Sequence, residues 1–355
     1  MLVLISPFSA SAPSSRRIIN LAKKLSEYRI ILPEKDRYGE TSDGDKIIAI
    51  KKSKSNPLYF LSVFIELARL HPKKIYFLKP NPYSFLPAIF YKIIFGAKLI
   101  FDCDEWDSFT LKDNNAPFYK IWISNIISKI AIKFSDLIII SNNKIKELIQ
   151  KKYHSKLIYI PNGVDTSTFR TIVKKSSDNF VVMYVGSLHK IEQIKPILDS
   201  VDKVVKDILN IKFIFVGPGE IDRLERNANK KYVEFTGRMD YEKIPQIMSE
   251  AYILIAAFSN LKSLRYSSNV KIFEYMASGV PIIASSVGEI PEILEKGKAG
   301  YLVKPDDPDA IAGAILEVHD NYEKAVEKAS YAMEVVKKYD WSVLSEKLKK
   351  ALDVL

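Results

Sequence analysis

The sequence of 355 residues is poor in cysteine, in glycine and in low-complexity segments. Each shortage limits the classes of protein to which the chain can belong. The one cysteine, Cys103, excludes an internal disulfide and a thiolate metal cage, so we expect a reducing compartment. With only 13 glycines, each glycine found in a turn is more informative than usual. No low-complexity tract interrupts the chain, so it can bury a core along its whole length.

Long hydrophobic runs are also missing. The most apolar stretch, residues 83–101, is interrupted by Pro87, Lys92 and Lys98, whereas a spanning helix needs about 20 residues almost free of charge. The apolar run Leu2–Ile5 is shorter than a secretory signal, which needs about seven to fifteen apolar residues. We therefore expect this run to be the first strand of a cytoplasmic protein without a transmembrane segment.

Length and charge indicate what the chain does contain. Its 355 residues suit two domains of roughly 150 to 180 residues, and 47% hydrophobic residues can fill two cores. The 53 basic and 42 acidic side chains give a net charge of +11, which favours acidic partners such as nucleoside diphosphates, anionic lipid or nucleic acid. Nucleic acid is the least favoured, because the basic residues are dispersed and no motif for base readout is present.

Residues 267–292 organise the second half of the sequence. A short polar side chain at 267–269 can cap a helix that carries Glu274 and ends at Gly279. The apolar residues 280–284 read as a strand buried on both faces, and Gly288 opens the next turn. The start of such a helix attracts phosphate, and ligands of a doubly wound sheet bind at the carboxyl ends of its strands.

The segments EYMASGVPIIAS and GEIPEIL in this stretch resemble the donor-binding signature of the group 1 glycosyltransferases. Residues 161–165 and 299–308 are similar to turns of the same family. The resemblance implies an α/β fold with two facing Rossmann-like domains (the GT-B architecture), retention of configuration and no metal. It also implies that Glu274 binds the ribose of a nucleotide-sugar. The family's sugar-binding Glu, eight residues upstream, is replaced by Tyr266.

The predicted domains follow from this resemblance. Residues 1–170 form an acceptor-side domain, residues 178–335 form the donor-binding domain, and a final helix at 340–355 crosses back to the first domain. Residues 166–179 are the expected linker. A helix after the first strand is expected to place Arg17 on its polar face. Strands are predicted at 2–5, 30–32, 47–50, 75–78, 98–101, 136–140, 157–160, 180–185, 212–216, 233–235, 253–257, 280–284 and 299–303.

The predicted donor site lies in the second domain. Gly186, at the first turn from strand to helix, lets the main chain approach a phosphate. The family's Arg and Lys after this glycine are replaced by Ser187 and Glu192. A leaving diphosphate still needs positive charge, and Arg265 and Lys271 are preferred for it over Lys190 and Lys195. The full set of predicted donor-binding residues is Gly186, Ser187, Lys190, Gly217, Arg238, Tyr266, Asn269, Val270 and Glu274.

The sequence Asp102-Cys103-Asp104 follows a predicted strand of the first domain and has three interpretations. The family resemblance favours Asp104 beside the sugar. The alternatives are a divalent metal held by Asp102 and Asp104 on the diphosphate, or a role in the loop itself.

The predicted function is a retaining, metal-independent glycosyltransferase of the hexosyltransferase type, with Asp104, Arg265 and Lys271 as its catalytic residues. It uses a nucleoside-diphosphate sugar as co-substrate, no resident cofactor, and a lipid-linked or polysaccharide acceptor. Residues 83–95 and 117–134 are domain core or, alternatively, a basic and aromatic surface that rests on an anionic membrane. Two rival functions are a non-catalytic nucleotide-sugar-binding partner subunit and a nucleotide-sugar epimerase.

Overall fold

The structure is a computed structural model that describes residues 1–10, 12–33, 46–51, 57–170, 179–189, 191–226 and 228–355. The chain divides into two compact units. The first comprises Met1–Asn162, Tyr266–Ser268 and Trp341–Leu355, and the second comprises Gly163–Arg265 and Asn269–Asp340. Most of the predicted linker, residues 171–178, lies outside the described residues.

The first unit contains a parallel sheet of seven described strands in the order β3-β2-β1-β4-β5-β6-β7. The strands are β1 Leu2–Ile5, β2 Tyr28–Pro33, β3 Ile47–Ile50, β4 Lys74–Leu78, β5 Lys98–Cys103, β6 Leu137–Ile140 and β7 Leu157–Tyr159. The α-helices between them are α1 Pro13–Ala22, α2 Pro57–Leu70, α3 Phe85–Phe95, α4 Asp107–Asp113 and α5 Phe118–Phe134. Two short 3-10 helices, Asn143–Leu148 and Lys151–Lys156, connect β6 to β7.

Helices cover both faces of this sheet, so its central strands are apolar on both sides. In β1, Leu2 and Leu4 contribute to one core, whereas Val3 and Ile5 contribute to the other. All four side chains are buried. The continuous apolar runs of the sequence thus become central strands with a core on either face.

The second unit repeats this design with six described parallel strands in the order β10-β9-β8-β11-β12-β13. Its strands are β8 Phe180–Val185, β9 Ile211–Val216, β10 Val233–Gly237, β11 Ile253–Ala256, β12 Ile282–Ser285 and β13 Tyr301–Val303. Its helices are α6 Thr166–Phe169, α7 Ile191–Val204, α8 Ile221–Glu225, α9 Ile244–Met248, α10 Lys262–Arg265, α11 Val270–Ser278, α12 Ile290–Ile293, α13 Pro308–Asp320 and α14 Tyr322–Val336. This is the Rossmann strand order, in which a ligand crevice forms where the order reverses between β8 and β11.

The last helix, α15 (Trp341–Val354), belongs to the first unit. Its residues Trp341, Leu344, Leu348 and Leu352 are buried in the core beside β1. The Ser345 hydroxyl donates to the Leu21 carbonyl at 2.7 Å, which fixes α15 against α1. The structure confirms the predicted α/β fold with two parallel sheets and a final helix that returns to the first domain. Within the described ranges, no helix combines the length and the apolar character that a membrane span requires.

Candidate functional site

Helix α11 is anchored to the carboxyl end of β8. It ends at Gly279, whose φ of +74° is the left-handed conformation of a helix C-cap. Tyr275 on α11 bonds both main-chain groups of Val185: its hydroxyl accepts from the Val185 N–H at 2.8 Å and lies 3.2 Å from the Val185 carbonyl. The start of α11 is thereby held next to the turn that follows β8. Asn269 is the N-cap, but its side chain accepts no hydrogen bond from the first turn of the helix.

That turn is built from closely packed glycines. Gly186 has φ +156°, and a Cβ placed on it would lie 2.4 Å from the Lys271 Nζ. A Cβ on Gly217, at the end of β9, would lie 1.8 Å from the Gly186 carbonyl oxygen. Gly217 in turn donates its N–H to the Gly237 carbonyl at 2.9 Å. Three neighbouring strands therefore end in bare main chain, to which a phosphate can approach closely.

Lys271, in the first turn of α11, lies where the strand order reverses. Its Nζ donates to the Tyr184 hydroxyl at 2.8 Å and lies 4.0 Å from the centre of that ring, on β8. It also lies 5.3 Å from the ring centre of Phe258, two residues after the end of β11. In the described part of the chain no carboxylate pairs with this ammonium. A cation held by aromatic groups beside a glycine turn is suited to bind an anion.

Glu274 lies three residues after Lys271 on the same helix, so the two side chains share a face. Its side chain is 9% exposed, and its Oε1 accepts a hydrogen bond of 2.7 Å from the Tyr241 hydroxyl. The Tyr241 ring packs edge-on against Phe169, with ring centres 5.6 Å apart. One helix thus presents a cation in its first turn and a positioned carboxylate in its second.

The other predicted donor residues are less closely grouped. Val270 and Asn269 begin α11 beside Lys271, and Ser187 follows Gly186, with its carbonyl accepting from Tyr184 at 3.2 Å. Arg238 follows Gly237 at the end of β10. Lys190 lies outside the described residues, as does the side chain of Glu192.

Arg265 and Tyr266 are placed differently from each other. Arg265 ends α10 in the second unit, and its carbonyl would lie 3.1 Å from a Cβ on Gly288. Tyr266 belongs to the first unit, where it is 6% exposed and packs against Phe109 with ring centres 5.3 Å apart. The structure thus shows a packing role for Tyr266, and the sugar contact stays a prediction.

Asp104 lies at the carboxyl edge of the first unit's sheet in a cluster of charged groups. The Lys79 Nζ, in the residue after β4, lies 3.7 Å from the Asp104 Oδ1 and 3.2 Å from the Asp107 Oδ1, and it also contacts Glu105. The Asp104 Oδ1 is buried and has no hydrogen-bond partner among the described residues. Burial raises the pKa of Asp104 to about 7, which the Lys79 ammonium partly opposes.

Asp102 has a structural role in the first unit. Both of its carboxylate oxygens accept from Arg17, at 2.8 and 3.2 Å, and the Tyr76 hydroxyl also donates to it. Arg17 additionally donates to the carbonyls of Ile160 and Pro161 at 2.7 and 2.8 Å. Asp102 is therefore not available as a ligand for the metal ion that the second interpretation of Asp102 and Asp104 requires. Across the described ranges, no group of three or more His, Cys, Asp or Glu is placed to hold a metal ion.

Sequence reasoning was wrong for Arg17 and missed two further residues. The helical pattern assigned Arg17 to the polar face of α1, yet its side chain is 1% exposed because Asp102 pairs with it. Lys79 and Tyr241 gave no local signal. Lys79 was detectable only from strand order, because β4 and β5 are neighbours and their carboxyl ends meet.

Comparison with known proteins agrees with this geometry. Residues 179–321 match the family model described as glycosyl transferases group 1. The phosphatidyl-myo-inositol mannosyltransferase of Mycobacterium tuberculosis H37Rv is 25% identical over 211 residues, which are 57% of this chain and 55% of that protein. The N-acetyl-alpha-D-glucosaminyl L-malate synthase of Bacillus anthracis is 25% identical over 50% of this chain and 47% of its own length. The chain thus spans about half the length of the curated relatives it matches.

Solved structures resemble the chain over its whole length. The sucrose-phosphate synthase of Thermosynechococcus elongatus has a TM-score of 0.82 at 15% identity and covers 99% of this chain and 98% of its own. HepE of Anabaena, solved with UDP-glucose, has a TM-score of 0.79 at 18% identity and covers 100% of both chains. At these identities the likeness shows the fold, which is GT-B. Through residues 179–321, the chain is thus similar to the group 1 glycosyltransferases.

Proposed function

We propose that the protein transfers a sugar from a nucleoside-diphosphate sugar to an acceptor, and that the nucleotide binds at the carboxyl edge of the second unit's sheet. The observation that carries this proposal is the position of Lys271. Its ammonium lies against Gly186, between β8 and Phe258, and its hydrogen bond is made to the Tyr184 hydroxyl. A diphosphate at this point would find positive charge and bare main chain together.

The leaving group gains negative charge as the glycosidic bond breaks, and a fixed cation stabilises that charge more in the transition state than in the bound donor. Lys271 supplies this cation in place of the family's Arg and Lys pair. The N–H groups of Val270 and Lys271, together with Ser187 and Arg238, complete the diphosphate and base contacts. Because the charge comes from a side chain, we propose that transfer needs no metal.

Glu274 binds the ribose in this proposal. A carboxylate accepts hydrogen bonds from two neighbouring hydroxyls, and these bonds are stronger than those of neutral acceptors. The Tyr241 hydroxyl fixes the Glu274 side chain before the donor arrives. We propose that Asp104 and Tyr266 contact the sugar, that Arg265 shares the charge of the leaving diphosphate with Lys271, and that transfer retains configuration, as the family pattern implies.

The acceptor is proposed to be lipid-linked or a glycan. Among the similar proteins, one is named for mannosyl transfer to phosphatidyl-myo-inositol, and WaaG is described as involved in lipopolysaccharide biosynthesis. Both names concern sugars joined to lipids. A cytoplasmic enzyme that works at a membrane surface is consistent with the net charge of +11.

The test is calorimetric titration of UDP-, GDP-, ADP- and dTDP-sugars into the wild type, Lys271→Met and Glu274→Gln, followed by donor hydrolysis in excess chelator. UDP-sugars come first, because HepE was solved with UDP-glucose. We expect one donor to bind, and each variant to bind it about 10- to 100-fold more weakly, since a charged hydrogen-bonding partner is lost. Lys324→Met, on the exposed surface of α14, is the matched control.

Four outcomes are distinguishable. Hydrolysis of the bound donor in chelator supports the transferase. Binding without turnover on any acceptor would make the protein a non-catalytic nucleotide-sugar-binding subunit, and conversion of the donor sugar without an acceptor would make it an epimerase. Equal affinities of Lys271→Met and the wild type would remove the basis of the proposal.

A further inference from the structure

Three helices of the first unit carry large apolar side chains on their outer surfaces. In α2, Leu58 and Ile65 are 62% and 54% exposed, and in α3 Ile93 and Ile94 are 67% and 60% exposed. In α5, Phe118 and Trp122 are 79% and 57% exposed. The outer face of a helix in a globular domain is normally polar. Apolar residues repeated on the outside of three helices indicate a surface that something else covers.

The three helices are neighbours, so their exposed residues belong to one surface, which we call the α2–α3–α5 face. Phe60 of α2 packs edge-on against Phe90 of α3, with ring centres 5.7 Å apart. Lys92 of α3 donates to the carbonyl of Phe134, the last residue of α5, at 3.0 Å. These contacts join α2 to α3 and α3 to α5.

The charges that α3 and α5 contribute to this face are positive, and the one carboxylate of α2, Glu66, is paired with Arg69 at 3.8 Å. Neither α3 nor α5 contains an acidic residue. Lys120, Lys129 and Lys133 of α5 are all exposed. Asp136, which follows α5, is paired with both Lys92 at 2.6 Å and Lys98 at 3.5 Å. The face therefore combines apolar side chains with lysines whose charge is not neutralised within α5.

The combination of apolar side chains and lysines distinguishes between the partners that could cover this face. A second copy of the chain would bring the same lysines against one another, and like charges in an interface are repulsive. An anionic bilayer offers negative headgroups for the lysines and an apolar interior for the isoleucines and aromatic rings, while long lysine stems can lie along apolar surface. We propose that the α2–α3–α5 face docks on an anionic lipid bilayer, with its apolar side chains between the headgroups.

Docking would bring the enzyme to an acceptor that lies in the membrane. That part of the inference rests on the proposed function, because it assumes a sugar transfer to lipid. The docking itself depends only on the first unit.

The test is co-sedimentation of the full chain with vesicles of phosphatidylcholine alone and of phosphatidylcholine mixed with phosphatidylglycerol. We expect binding to the anionic vesicles only, and we expect added salt to weaken it. Replacing Lys120, Lys129 and Lys133 together by Gln should weaken binding on the order of 100-fold, since each lysine near the surface contributes about fivefold. The matched control replaces three exposed lysines of the second unit, Lys206, Lys304 and Lys324, by Gln.

A second pair of variants tests the apolar contribution. Trp122→Ser should weaken vesicle binding about tenfold, because a partly inserted ring returns to water. Leu209→Ser, at a residue of the second unit that is 84% exposed, should leave it unchanged. Both side chains are exposed, so we expect the two substitutions to change the melting temperature of the protein equally.

Several results would overturn the docking proposal. One is equal loss of binding in the α5 and second-unit lysine variants, which would show attraction by net charge alone. Another is no vesicle binding together with self-association that Trp122→Ser abolishes, which would make the face an interface between copies. Donor titrations of the same variants separate the two proposals: unchanged nucleotide affinity without vesicle binding would refute docking and leave the proposed function intact.

Discussion

At the scale of single residues, the hydrogen bond from Tyr241 to Glu274 indicates a function for Tyr241, which the sequence did not single out. We expect Tyr241→Phe to weaken donor binding about 3- to 10-fold, because the hydroxyl that positions the carboxylate is lost. The ring contact with Phe169 is kept, so the melting temperature should barely change. Calorimetry with the nucleotide-sugar measures the effect, and Tyr331→Phe on α14 is the control.

If Tyr241 only positions Glu274, the Tyr241→Phe variant should lose the ribose contact and keep the diphosphate contacts. Inorganic diphosphate, which has no ribose, should bind Tyr241→Phe and the wild type equally. Discrimination between the nucleotide and its 2′-deoxy form should shrink in the variant. A parallel loss of diphosphate affinity would contradict the assignment, because it would show that the whole site had moved.

Asp104 gives a prediction about pH. Its pKa in the folded protein is raised to about 7, whereas an unfolded aspartate has a pKa near 3.9. The folded state therefore holds this proton more tightly, and its contribution to stability is present at low pH and lost as the pH rises through about 7. We expect Asp104→Asn to gain roughly 1 to 4 kcal/mol over the wild type between pH 5 and pH 8.

Thermal unfolding at these two pH values measures that gain. Asp353→Asn, on the exposed side of α15, is the control and should show no pH-dependent difference from the wild type. A constant offset of Asp104→Asn at both pH values would show that the side chain acts through packing and not through its proton.

At the scale of elements, the glycine turns after β8 and β9 are fitted to each other. A Cβ at Gly217 would lie 1.8 Å from the Gly186 carbonyl oxygen, and the φ of +147° is itself unfavourable for other residues. Gly217→Ala should therefore cost more than about 2 kcal/mol of unfolding free energy and weaken donor binding. Denaturant titration is the measurement.

Gly313→Ala is the matched control, since a Cβ at Gly313, inside α13, meets nothing within 4 Å. It should be neutral or stabilise the protein by up to about 1 kcal/mol, because alanine favours the helix. Equal effects at the two glycines would mean that the turn has room that the structure does not show.

The strands and helices also show which features of the protein the sequence can predict. Apolar runs and turn residues predicted the strands of both sheets, because a parallel strand covered on both faces must be apolar throughout. The helix that starts near residue 270 was predicted from its cap and from Gly279. What local pattern could not supply were contacts between residues far apart in the chain: Arg17 with Asp102, Lys79 with Asp104, and Tyr241 with Glu274.

At the scale of the whole molecule, the two units divide the proposed tasks. The second unit holds the glycine turns, Lys271 and Glu274, which suit a nucleotide. The first unit holds the Asp104 cluster and the α2–α3–α5 face, which suit a sugar acceptor at a lipid surface. A net charge of +11 alone does not separate these partners, and the two proposals rest instead on where particular lysines lie in each unit.

The place of α15 has a consequence for how the protein is made. The first unit is completed by Trp341–Leu355, which a ribosome synthesises after every residue of the second unit. Until those residues emerge, the surface of α1 that receives Leu344 and Leu348 stays exposed to water. Nascent chains usually fold from the amino-terminal domain onward. Here the second unit has all of its residues before the first one does, so of the two units the amino-terminal one is the second to finish folding.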